Sequence, residues 1–278
     1  MNKSIFETEY YKVLYRPCGD LQTNCYIIIS KKTGDSLVVD AGMEAADWVT
    51  SQVQQPLAIL NTHGHFDHVW SNAELKKAWP QTPIVCPYED VFLATQDRFM
   101  QGQPTCTVDI MVGAPDGAEV QVFQSTTSNL GRKNLFQWND LVTEFICYPG
   151  HTPGNSVIIL WHQDEPEKKV MFSGDFIFYR SIGRSDFKFS SHSVMKASLQ
   201  QVMKLEGDMP VFPGHDAFTR LSDERLFIPR WIETMQNPCG EPIPPRILPV
   251  YGGGFSVQFP KYQLSLIYFP DWMPSSAE

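Results

Sequence analysis

The sequence predicts a layered α/β sandwich with chemically active turns along one edge of its sheets. Two observations carry that prediction. Strand and helix signals alternate through the opening third of the chain, and several apolar runs end in a tight turn that holds histidine or aspartate. Strand-like runs fall at Tyr11–Tyr15, Asn24–Ile29 and Ser36–Val39, followed by a helix near Glu44–Gln54 and the strand Pro56–Asn61. A helix over His68–Trp79 places Val69, Ala73, Leu75 and Ala78 on one buried face. Pro80 and Pro83 bracket its end and admit the strand Ile84–Cys86, and Asp90–Phe99 reads as a further helix.

Between Met100 and Leu135 the pattern weakens, with Glu119–Phe123 the best strand candidate in a stretch rich in Gly, Pro, Ser, Thr and Gln. Strands resume at Leu141–Tyr148, Asn155–Trp161 and Lys169–Phe172. A helix over Val194–Leu205 and the strand Met209–Phe212 follow. Ser222–Met235 reads as a helix with Ser222 as its N-cap and Glu224 and Arg225 in the first turn. From Pro238 onward, frequent prolines and Gly252-Gly253-Gly254 exclude a helical domain. Phe255–Phe259 and Leu264–Tyr268 are expected to pair as a hairpin, or to pack on the main body or on a partner subunit.

Thr62-His63-Gly64-His65-Phe66-Asp67-His68 follows the apolar run Leu57–Leu60 and reads as a metal-binding turn. Neutral imidazole and carboxylate oxygen are ligands that suit zinc, and also iron or manganese. Three later segments have the same character and deliver His151 (Pro149-Gly150-His151-Thr152-Pro153-Gly154), Asp175 (Ser173-Gly174-Asp175) and His215 (Pro213-Gly214-His215-Asp216). Five of the seven histidines thereby fall into one proposed site. His162 and His192 lie in polar surroundings and are assigned surface or capping roles.

The T-H-x-H-x-D-H turn, the G-H-T-P-G turn, the G-D turn and the final G-H occur in the order found in metallo-β-lactamase-fold hydrolases. Within that superfamily the chain resembles the glyoxalase II-like branch, the hydroxyacylglutathione hydrolases and their smaller bacterial relatives. Asp175 stands where class B1 β-lactamases offer cysteine, and the run Phe176–Asp186 is similar to that of the small bacterial members. The resemblance covers about Leu21 to about Glu224 and implies an αββα sandwich. It implies two divalent ions, with zinc preferred and iron or manganese also compatible. One would be held by His63, His65 and His151, the other by Asp67, His68 and His215, and Asp175 would bridge them. Asp67 and Asp175 would also orient the nucleophile, and Asp40 would lie behind the metal turn against an imidazole. Arg184 and Arg180 are candidates for holding a substrate anion.

Residues 1–236 would form the catalytic domain, with an insertion near 100–135, and residues 237–278 a Pro-rich extension that is not an independent domain. That extension differs from the helical domain with which eukaryotic glutathione-specific hydrolases grip their substrate. The resemblance implies a metal-dependent thioesterase acting on a small-molecule acyl substrate. The turns alone also admit a mononuclear iron persulfide dioxygenase or a lactonase; an inactive binding protein or a nuclease fits less well.

Composition narrows the field. At 278 residues the chain can bury a substantial core, and no apolar run nears the roughly 18–20 residues of a membrane span. The start, Met1–Glu9, lacks the apolar core of a secretory signal. Six scattered cysteines without a Cys-x-x-Cys pair suggest reduced thiols in a cytoplasmic protein. A net charge of −9 with no basic stripe argues against a nucleic-acid partner. Association into a homo-oligomer through the C-terminal extension is the remaining partner expectation.

Overall fold

The computed structural model describes residues 4–235, 246–250, 254–259 and 264–268, and divides into two compact units, Met1–Ile232 and Glu233–Glu278. In the first unit the opening strands are β1 (Phe6–Glu7), β2 (Tyr11–Cys18), β3 (Thr23–Ser30) and β4 (Ser36–Val39). They pair antiparallel in sequence order. Helix α1 (Ala46–Gln52) then crosses to β5 (Ala58–Leu60), and β5, β6 (Ile84–Pro87) and β7 (Ile110–Val112) extend the sheet in parallel to seven strands. Short helices α2 (Phe66–Val69), α3 (Asn72–Ala78) and α4 (Val91–Ala94) fill the connections.

The second sheet has six strands. Antiparallel β8 (Lys133–Trp138), β9 (Leu141–Cys147), β10 (Ser156–His162) and β11 (Glu165–Gly174) come first. After a small hairpin of β12 (Ile177–Phe178) and β13 (Ser181–Ile182), α5 (His192–Val202) leads to β14 (Pro210–Pro213), which joins β11 in parallel. β15 (Thr219–Arg220), α6 (Leu221–Arg225) and α7 (Ile228–Thr234) close the unit.

Alternation along the strands shows why two sheets and outer helices result. In β4, Leu37 and Val39 join Tyr26, Ile28, Leu60, Phe145, Ile158 and Phe172 in a core between the sheets. Val38 points the other way and joins Ile27, Ile59 and Ile84 against Trp48 and Val49 of α1 and Leu75 of α3. Both faces of the first sheet are therefore covered, as parallel strands require. The arrangement is the expected αββα sandwich.

Several boundaries differ from expectation. The helix expected over His68–Trp79 begins two residues earlier and breaks at Trp70-Ser71. Ser71 spends its hydroxyl on the carbonyl of Gly42 at 2.6 Å. Asp90–Phe99 yields only the single turn of α4, after a 3-10 turn at Tyr88–Asp90, and the Asp90 side chain is drawn into the metal turns instead of capping α4. Ser222 lies inside α6 instead of capping it, and its N–H is taken by Asp208 at 2.9 Å. Glu119–Phe123 is irregular; its backbone carbonyl at Glu119 accepts from the Tyr88 hydroxyl, while Phe123 packs on the Tyr88 ring. β7 and β8 instead supply the strands of the 100–138 region.

The second unit contains an antiparallel sheet of β16 (Arg246–Val250), β17 (Gly254–Phe259) and β18 (Leu264–Tyr268), so the expected terminal hairpin is present as β17 and β18. Pro249 stands in the edge strand β16, where proline is tolerated. The prolines at 238, 242, 244, 245, 260, 270 and 274 and the glycines at 252 and 253 lie outside the described residues.

Candidate metal centre

The site is assembled where strands end. β5 runs into His63 and His65, β11 into Asp175 and β14 into His215, while the turn between β9 and β10 carries His151. Asp67 and His68 sit in α2, immediately after His65. Backbone bonds tie these turns together: Ser156 N donates to Thr62 O at 2.9 Å and Gly214 N to Gly174 O at 2.9 Å. Asn24 N donates to Gly214 O at 2.7 Å. Gly174 has φ +51, and a Cβ there would collide with the Thr62 side chain, so only glycine lets Asp175 approach.

The ligand atoms of His63, His65 and His151 lie within 4.8 Å of one another, and so do those of Asp67, His68 and His215. Asp175 reaches both groups. Its Oδ1 is 3.2 Å from His68 Nε2, and its Oδ2 is 3.4 Å from His151 Nε2 and 3.6 Å from His215 Nε2. His65 and His151 approach through Nδ1 and Nε2 at 2.8 Å.

Hydrogen-bond partners assign the tautomers. Thr62 Oγ1 donates to Asp40 Oδ2 at 2.7 Å, so it accepts from His63 Nδ1 at 3.1 Å. Nδ1 of His68 donates to Asp40 Oδ2 at 2.9 Å, Nδ1 of His151 to Arg184 O at 2.7 Å, and Nδ1 of His215 to Leu21 O at 3.1 Å. In all four rings Nδ1 is committed to an outer partner and Nε2 faces the cluster, the arrangement by which such partners orient metal-binding imidazoles. Asp40 is held in the left-handed region at φ +51, a conformation aspartate tolerates, and its other oxygen accepts from Thr62 N at 2.8 Å.

Electrostatics divide the five rings into two sets. Burial, reinforced by neighbouring imidazoles, pushes His65 down to about 3 and lowers His63 and His151, so all three are neutral at pH 7. Burial also acts against protonation of His68 and His215, but Asp67 and Asp175 outweigh it and raise both. Burial opposes ionisation of Asp67 and Asp175, yet His68 and His215 hold both carboxyls below the usual range. His63 Nε2, His68 Nε2 and Asp175 Oδ1 are buried with no hydrogen-bond partner. Convergent polar atoms of this kind are costly when unsatisfied, and bound cations offset that cost. The donor set of imidazole nitrogens and carboxylate oxygens fits a pair of divalent ions.

A family model described as the metallo-beta-lactamase superfamily matches residues 18–215. The chain belongs to that superfamily. Hydroxyacylglutathione hydrolase GloC of Haemophilus influenzae is 27% identical over 216 residues, covering 75% of this chain and 92% of its own. Among solved structures, the BLEG-1 B3 metallo-beta-lactamase superposes with a TM-score of 0.59 at 26% identity, covering 79% of this chain and 99% of that one. TTHA1623 in a di-iron-bound form superposes at 0.53 with 27% identity, covering 80% and 97%. No helix among the described residues is long and apolar enough to cross a membrane.

As a superfamily centre, this one depends on residues that sequence reasoning missed. Asp90 is fully buried and joins the two principal metal turns. Its carboxylate accepts from Gly64 N at 3.0 Å, Thr152 Oγ1 at 2.5 Å and Gly154 N at 2.6 Å. Burial pushes its carboxyl up to about 7 despite those donors. The available signal was a carboxylate immediately before the apolar run Val91-Phe92-Leu93-Ala94. Thr23 Oγ1 donates to Asp67 Oδ2 at 2.9 Å and fixes that side chain.

Both arginines already have carboxylate partners. Arg180 pairs with buried Glu224 at 3.1 Å and lies over the Phe227 ring at 4.3 Å. Arg184 makes two bonds of 2.9 Å to Asp186, while its carbonyl carries His151. His192 is an exposed residue at the start of α5, bonded to Ser185 at 2.6 Å. His162 departs from its surface assignment. It is buried because Tyr10 stacks on it at 4.6 Å and Asp140 lies 3.2 Å from its Nε2, while its Nδ1 accepts from Asp164 N.

Proposed function

We propose that the protein is a glyoxalase II-like metallo-hydrolase that cleaves thioesters. The observation that carries this reading is Asp175, whose two oxygens reach both donor groups at once. His63, His65 and His151 would hold one divalent ion and Asp67, His68 and His215 the other, with Asp175 between them. Zinc and iron both suit these donors. Such a pair supplies hydroxide at neutral pH and polarises an acyl carbonyl.

The remaining chemistry belongs to the chain. Asp67 and Asp175, held ionised by the neighbouring imidazoles, accept hydrogen bonds from the attacking water and orient it. Thr23 fixes Asp67, and Asp40 fixes His68 through its Nδ1. A thiolate leaves without a proton donor, which suits a site whose ionisable groups are nearly all committed as ligands. Free thiols at all five described cysteines support a reducing compartment such as the cytoplasm.

Hydrolysis of S-D-lactoylglutathione by metal-loaded protein tests the reading, with Asp175→Asn as background. Saturable turnover that disappears in the variant is expected. No thioester turnover at full metal occupancy would overturn it.

A further inference from the structure

Aromatic rings from three separate segments converge on the ligands of the metal centre that still meet solvent. His63 and His68 are fully buried, whereas the His215 side chain is 21% exposed and His65 and Asp67 keep a small accessible fraction. Phe99 stands edge-on to His65 at 5.2 Å and Phe187 edge-on to the same ring at 5.8 Å and to His151 at 5.9 Å. On the other side Phe178 stands edge-on to His215 at 6.0 Å. All three phenyl rings are half-buried. Leu21, whose carbonyl carries His215, is 50% exposed, and Met100 beside Phe99 is 89% exposed. The half-buried rings of Phe99, Phe187 and Phe178 thus give the polar centre an apolar border that an apolar group of a ligand can cover.

We infer that this aromatic collar binds the acyl half of the substrate, and that the acyl group is therefore apolar and best when aromatic. The inference rests on the acyl-hydrolase reading above and names the substrate class within it. The rings are preformed: Phe99 is packed against the cluster of Phe92, Leu93 and Phe189, and Phe187 is backed by Arg184 at 4.2 Å. Edge-to-face packing of an aryl acyl group between Phe99 and Phe187 would bring its carbonyl to the ligands those rings flank. The two arginines beyond Asp175 are already bonded to Glu224 and Asp186, so the collar sets no demand for a charged acyl group.

Two measurements test this separately from the thioesterase reading. The first is calorimetric binding of phenylacetate and of acetate, the corresponding products, to zinc-loaded protein. A preference for phenylacetate of about ten-fold or more is expected, the size an apolar pocket delivers for added hydrocarbon. Phe99→Ala and the milder Phe187→Leu should each reduce that preference, while Leu135→Ser, an exposed position on β8, should leave it intact. Equal affinity for the two carboxylates, or a preference unmoved by both ring variants at full zinc content, would overturn the collar.

The second measurement compares kcat/KM for the S-phenylacetyl and S-acetyl thioesters of N-acetylcysteamine, a neutral carrier. A ratio favouring phenylacetyl, reduced by the same variants, supports both readings. A binding preference without turnover of either thioester would sink the thioesterase and leave the collar standing. Turnover that favours acetyl would sink the collar alone.

Discussion

Asp90→Asn replaces a buried acceptor of three hydrogen bonds with a neutral group of nearly the same shape. The structure sets the size of the effect. Burial raises the carboxyl from an ordinary 3.8 to about 7, even with donors from Thr152, Gly154 and Gly64. That is about three units, or roughly 4 kcal/mol at ~1.36 kcal/mol per unit. Because the folded value lies above the unfolded one, the folded protein binds the extra proton between about pH 4 and pH 7. Stability conferred by the protonated form is therefore full below pH 4, falls as pH rises through that window, and is lost above it. Asparagine carries no such charge. Against this, its amide must face one backbone N–H that the carboxylate satisfied, at a cost of ~1–3 kcal/mol that does not vary with pH. Metal-free Asp90→Asn protein should accordingly be less stable than the parent near pH 4–5, and should recover or overtake it by pH 8. Urea unfolding in chelator at steps of one pH unit measures the difference directly. Parallel stability curves for the two proteins across pH 4–8 would refute the raised carboxyl and its assignment as a buried charge at pH 8.

Other outcomes follow from the same geometry. Asp175→Asn should lower metal content and activity together, since that side chain reaches both donor groups; unchanged activity would exclude the dinuclear centre. Binding of zinc to Asp67, His68 and His215 should release more protons than binding to His63, His65 and His151, because Asp67 and Asp175 raise both His68 and His215, which must deprotonate to ligate. The three neutral imidazoles of the other group should release almost none. Calorimetry in buffers of different ionisation enthalpy counts those protons. Gly183→Ala would drive a methyl into the Asp175 carbonyl and to 3.3 Å from His151 Nδ1, and should cost at least ~1–3 kcal/mol with weakened zinc binding. Arg180→Ala should destabilise by ~1–3 kcal/mol, since Glu224 loses its charged partner but keeps the Thr219 hydroxyl and the backbone N–H of residue 180 as donors. A large rise in KM with stability unchanged would instead make Arg180 a substrate contact.

How much of this was legible in the sequence depended on the range over which each residue acts. His63, His65, Asp67 and His68 lie within one turn, so their chemistry could be read from spacing alone. His151, Asp175 and His215 each follow an apolar strand, and that local pattern announced them. Strand extents were recovered to within a few residues for the same reason: alternation is a nearest-neighbour property. Asp90 carries no such signature. It acts across 64 positions on Gly154 and 26 on Gly64, and it turns its side chain into those contacts instead of capping its own helix. The same holds for Ser71, whose backbone N–H goes to Ala41 O at 3.0 Å and so leaves a helix that its own amphipathic pattern would continue. His162 looked like a surface residue because its neighbours are polar, yet Tyr10 and Asp140, both distant in sequence, enclose it. Side chains of the cluster were thus readable as one group of donors, while the residues that aim them belong to pairings only the folded sheets create. On that reasoning the pH profile of Asp90→Asn is the sharper test of the fold, and the proton count on zinc binding the sharper test of the site.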